Sequence, residues 1–82
     1  MEFTEFSKEA LNYYYLTLVD LISGESIHIL EYQLKEFEDL ELYEACEGAR
    51  RALDLADKCT LKELQLEIAN VELQMKKIQY GN

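Results

Sequence analysis

Apolar side chains recur every three or four residues along most of the chain, and breaks in that rhythm divide it into four segments. In the first, Phe3, Phe6, Ala10, Tyr13 or Tyr14, Thr17 and Leu21 form one stripe of a helix predicted over 4–22. Leu11, Tyr15, Leu18 and Ile22 form a second stripe beside it. A helix turns by about 100° per residue, so the consecutive tyrosines of 12-NYYYLTLVDLISGES-26 cannot all face one core. Tyr13 and Tyr14 flank the main stripe, and Tyr15 falls on the second. Thr4 is placed to cap this helix, with Glu5 in its first turn to suit the helix dipole. Ser23-Gly24-Glu25-Ser26 closes it, because glycine tolerates the left-handed conformation of a C-cap.

Ser26 can cap a second helix over 26–38, in which Ile27, Leu30, Leu34 and Phe37 share a face. A strand is the alternative for residues 26–34, but alternation fails at Ile29-Leu30 and the stripe runs past strand length. Asp39 to Glu41 form the next boundary, marked by neither glycine nor proline. A third helix over 41–58 follows, with Leu42, Ala45, Cys46, Ala49, Ala52, Leu53 and Ala56 on a face of mostly small side chains. Gly48 in its interior costs about 1 kcal/mol relative to alanine, which points to close approach of another helix. Thr60 and Glu63 have capping-box spacing and start a fourth helix over 61–79. Its main stripe is Leu61, Leu64, Ile68, Val71, Met75 and Ile78, and Leu66, Ala69, Leu73 and Tyr80 lie on the opposite side. A helix apolar on two opposed faces is expected to be buried on both.

These segments predict one all-α domain spanning 1–82, a small bundle of three or four helices in antiparallel hairpins. Eighty-two residues are near the lower limit for a single hydrophobic core, and 49% apolar content with 11% aromatics argues against disorder. They are too few to cover both extra stripes within one chain. Leu11, Tyr15, Leu18, Ile22, Leu66, Leu73 and Tyr80 are therefore the predicted interface of a homo-oligomer, with a dimer favoured. The N-terminus lacks the basic and apolar regions of a secretory signal, and the run from Tyr13 to Val19 is too short to cross a bilayer. A cytoplasmic protein is expected. Cys46 and Cys59 would stand roughly 20 Å apart on one helix, which makes reduced thiols the expectation.

Charge changes the picture more than composition does. The net charge is −9, but residues 1–47 balance to −10 and residues 48–82 to +1. Direct binding to nucleic acid or to an anionic membrane is thereby disfavoured, because both need clustered lysine and arginine. A basic protein surface is the partner such a half attracts. In 36-EFEDLELYEACE-47, the acids Glu36, Glu38, Asp39, Glu41, Glu44 and Glu47 interleave with Phe37 and Tyr43. Glu41 and Glu44 suit the start of the third helix. Glu36, Glu38 and Asp39 fall at the end of the second, where the helix dipole disfavours negative charge, so their clustering points to binding.

Candidate chemistry is sparse. Glu25 and His28 have the Glu-x-x-His spacing of di-iron carboxylate bundles, but such sites need two such motifs and further glutamates, so no metal or other cofactor is expected. There is no phosphate-binding glycine loop, no Cys-x-x-Cys and no nucleophile elbow, and a non-enzyme is predicted. The stretch 43-YEACEGAR-50 resembles the second helix of the UVR interaction hairpin at Tyr43, Glu44 and Arg50, with Glu47 in place of a small residue and Arg51 in place of an acid. Ala45, Ala52, Leu53 and Leu55 are similar to the second helix of a tetratricopeptide repeat, whose first helix has no counterpart in the chain. Both families pack helices closely over alanines, and the resemblance implies no more than that packing.

The leading functional expectation is a non-catalytic module that docks its acidic hairpin on a basic protein surface. Its concrete form is an inhibitor of a nucleic-acid-handling protein, a type common in phage and mobile elements. One alternative is a structural or adaptor protein whose role is helical self-assembly. Another is an oligomer that sequesters a small ligand between subunits, near Tyr13, Tyr15 and Tyr80 with Arg50, Arg51, Lys76 and Lys77.

Overall fold

The computed structural model describes the backbone of residues 7–80 and the side chains of residues 7–77. Four helices follow in order: α1 Lys8–Ile22, α2 Ile27–Asp39, α3 Tyr43–Lys58 and α4 Leu61–Tyr80. The described chain is thus all-helical, and residues 26–34 lie in a helix and its cap. Phe3, Thr4, Glu5 and Phe6 lie outside the described residues. The first cap within them is Ser7, whose hydroxyl accepts from the Ala10 N–H at 3.0 Å.

Each junction has a local physical cause. Gly24, at φ 96°, takes the left-handed position after α1, and the Glu25 N–H returns to the Asp20 carbonyl at 2.9 Å. Ser26 caps α2 through the His28 N–H. The same wrap ends α2: the Leu42 N–H bonds the Phe37 carbonyl at 2.9 Å and the Glu41 N–H bonds the Glu38 carbonyl at 3.0 Å. Here Glu41 occupies the left-handed position at φ 60°. Leu42 then precedes α3 with no side-chain cap, so the third helix begins at Tyr43 rather than at 41. At α4 the capping box closes in both directions, Glu63 accepting from the Thr60 N–H at 2.8 Å and Thr60 from the Glu63 N–H at 3.2 Å.

α3 packs along α1, α4 lies against α1, and α2 rests on α3, which orders the helices as α4–α1–α3–α2. Gly48 sits where α1 and α3 come closest. A Cβ there would overlap the Ala10 carbonyl oxygen and lie 2.6 Å from the Tyr14 nitrogen. Ala45, Ala49 and Ala52 keep the rest of this seam thin, each at most 3% exposed. The main core joins Leu11, Tyr14 and Leu18 of α1 to Ala52 of α3 and to Leu64 and Val71 of α4. Ile68 and Met75 pack against it from α4. Leu30 is buried on α2, and Phe37 meets Tyr13 edge-on at 5.4 Å. Leu61, expected on the core stripe of α4, is 58% exposed; as the first residue of its helix it precedes the turn that meets α1.

Candidate functional site: an acidic turn and an outer helix face

The acidic stretch becomes a turn with its helix ends. Glu36, Glu38 and Asp39 occupy the last stretch of α2, which has no base in its last turn. Glu41 holds the left-handed position, Glu44 lies in the first turn of α3, and Glu47 follows one turn later. All six carboxylates are exposed. Two are engaged: Glu38 pairs with Arg50 of α3 at 3.0 Å, and Glu47 with Arg51 at 3.4 Å. Among the described residues, Glu36, Asp39, Glu41 and Glu44 enter no salt bridge.

Three large apolar side chains stand at the same turn. Leu40 is 68% exposed, Leu42 44% and Tyr43 71%. Phe37 and Tyr43 are the aromatics interleaved with these acids. Phe37 turns inward to Tyr13, and only Tyr43 faces solvent. Leu42, expected on the small-residue face of the third helix, is instead exposed, because it is the residue before α3 and precedes the turn that meets α1. Leu40 lies in the turn itself, outside both apolar faces.

The predicted oligomer interface divides. Leu11 and Leu18, 4% and 0% exposed, lie in the core against α3 and α4, so a second chain cannot reach them. That assignment is corrected: the second stripe of α1 is covered by the main stripe of α4 in the same chain. Tyr15 and Ile22 are half-buried against that core, and the Tyr15 hydroxyl donates to Glu72 at 2.8 Å. Leu66 and Leu73, at 64% and 59% exposure, remain on the outer face of α4. The side chain of Tyr80 lies outside the described residues.

Tyr14 and Tyr15 fasten α1 to α4 at adjacent points. Tyr14 donates to Glu67 at 2.7 Å. Burial, followed by that hydrogen bond, pushes its phenol well above the ordinary range. The Tyr15 phenol is raised first by its bond to Glu72. Burial likewise raises the Cys46 thiol, and both cysteines are free.

Several of the residues weighed for small ligands are drawn into other pairings. Tyr13 packs on Phe37, Arg50 holds Glu38 and Arg51 holds Glu47. Open grooves flank α3, among them one of about 360 Å³ beside Tyr14, Leu55 and Glu67 and one of about 410 Å³ beside Ile27, Leu34 and Leu53. Glu25 precedes the cap of α2, so it does not share a helical face with His28, which instead lies 3.9 Å from Glu31. Among the described residues no three metal-ligating side chains converge, and no helix is long and apolar enough to cross a membrane. No protein family, curated protein or solved structure compared with the chain matches it.

Proposed function

We propose that the chain is a non-catalytic binding module that docks its α2–α3 turn on a basic protein surface. One observation carries this reading: four carboxylates with no ion pair among the described residues share the turn with Leu40, Leu42 and Tyr43, all exposed. Carboxylates alone would serve solubility. Apolar side chains alone would be scattered surface residues. Together they form the parts of an interface, an apolar centre that gains from leaving water and a charged surround that steers encounter. Nucleic-acid-handling proteins present basic grooves of matching sign, and occupying such a groove would inhibit them.

The test compares the full chain with Glu36→Lys/Asp39→Lys/Glu44→Lys in capture from the heparin-binding protein fraction of a cell lysate. Glu38 is left intact because it holds Arg50. Wild type should retain a basic protein at low salt and release it as salt rises, since exposed charges are screened within about 10 Å at 0.1 M. The triple variant should retain none while keeping its helical circular dichroism. Equal capture by both chains would refute the reading.

Helical self-assembly is the second reading, and Leu66 and Leu73 favour it. They stand a heptad apart on one exposed face of α4, and no described residue covers them.

A further inference from the structure

α4 sorts its charges by side. Its glutamates are all turned to partners within the chain: Glu63 to the Thr60 backbone, Glu67 to Tyr14 and Glu72 to Tyr15. Lys62, Lys76 and Lys77 are exposed and enter no salt bridge among the described residues. Positions 62, 66, 69, 73 and 76 recur at intervals of four and three, so they share one face. The outer face of α4 is thus Leu66 and Leu73, with Ala69 between them and lysines at both ends.

The α2–α3 turn is its counterpart in sign and in kind: unpaired carboxylates around exposed Leu40, Leu42 and Tyr43. The turn joins α2, an outer helix of the row, to the inner α3, and α4 is the other outer helix.

We infer that the outer face of α4 docks on the acidic α2–α3 turn of a second copy, so that the chain assembles head to tail. This rests on the reading of the turn as a docking surface and names its partner as another copy of the chain. Charge selects this geometry over the symmetric ones. Two α4 faces meeting antiparallel would bring Lys62 of each copy close to Lys77 of the other. Two turns meeting would oppose carboxylate to carboxylate, within copies that each carry −9. Unlike those two, head-to-tail contact sets lysine against carboxylate while covering leucine with leucine. Such a contact leaves one free turn and one free α4 face at the ends, so it continues until a ring closes or a filament grows.

Sedimentation of the full chain at micromolar concentration tests this with two variants, Glu36→Lys/Asp39→Lys/Glu44→Lys in the turn and Leu66→Glu/Leu73→Glu on α4. Circular dichroism confirms that both fold. Wild type should form species beyond a dimer that dissociate as salt is added. Each variant alone should sediment as a 9.6 kDa monomer, and an equimolar mixture should form a one-to-one dimer, because one intact turn then meets one intact α4 face. Wild type that assembles while the mixture stays monomeric overturns the inference in favour of a symmetric interface, as does assembly strengthened by salt. A monomeric wild type overturns it as well. If its turn variant still loses capture from the heparin-binding fraction, the turn's role as a docking surface survives alone; if capture is unchanged, both readings fail.

Discussion

Gly48 and Glu41 stand at opposite ends of what one missing or present side chain does in this protein. Gly48→Ala gains about 1 kcal/mol of helix propensity, but its Cβ meets the backbone of α1 at the Ala10 carbonyl and the Tyr14 nitrogen, neither of which can rotate away. Overpacking of this kind costs typically 1–3 kcal/mol, and parting two backbones belongs at the upper end. A net loss of about 1–2 kcal/mol is expected, seen in urea unfolding as a lower midpoint at unchanged slope. Glu41→Gly should move stability the other way. Its left-handed φ of 60° costs a residue with a Cβ about 1 kcal/mol that glycine does not incur. A gain of about 0.5–1 kcal/mol is expected by the same measurement. The two residues also show what was legible in the sequence. A glycine inside a helical pattern pointed to close approach of another helix, and α1 provides it. At Glu41 no such mark existed: the turn uses the same hydrogen-bonded wrap as Gly24, with a glutamate where glycine normally signals it, so the start of α3 was misplaced.

At the scale of elements, α4 is held by what α1 presents to it. Leu64 and Val71 lie in the shared core, Ile68 and Met75 pack against it, and Tyr14 and Tyr15 add hydrogen bonds to Glu67 and Glu72. Both phenols are raised by burial or by their carboxylate partners. A phenol whose folded value exceeds its unfolded one contributes stability that is fully present below the unfolded value near 10 and is lost as pH rises through the folded one. Stability should therefore fall above about pH 10. Tyrosinate absorbance should show Tyr14 ionising late in native protein, a lag reduced in Tyr14→Phe to the part that Tyr15 contributes. That variant leaves Glu67 without its donor and should cost about 1 kcal/mol at neutral pH. The stripes that meet here were both readable in the sequence, but their pairing was not. Periodicity reports that a face is apolar and is silent on which face covers it. An estimate of available mass assigned Leu11 and Leu18 to another chain, although α4 is long enough to cover them. The acidic turn was legible in its charge, while Leu40 lies outside any period and Leu42 fits the period of α3 but precedes its first turn.

At the scale of the molecule, the row α4–α1–α3–α2 gives the outer helices one main neighbour each and the inner ones two. Its extents are 36 × 31 × 21 Å, the last about two helix diameters. Amide hydrogen exchange should follow the row: slowest at the α1–α3 seam near Leu18, Ala49 and Ala52, faster along α2 and α4, whose opening leaves that seam in place. Uniform protection across the four helices would contradict this. The row also differs from the order of the chain, since α1 meets α3 and not the α2 that follows it. On a ribosome, α1 emerges without the surfaces that bury it, and Leu18 and Tyr14 stay in water until α3 and then α4 have followed. Only when Gly48 clears the exit can the seam close. Closure of that seam commits α1 and α3 to each other before α4 completes the core, and the acidic turn lies inside the loop so closed.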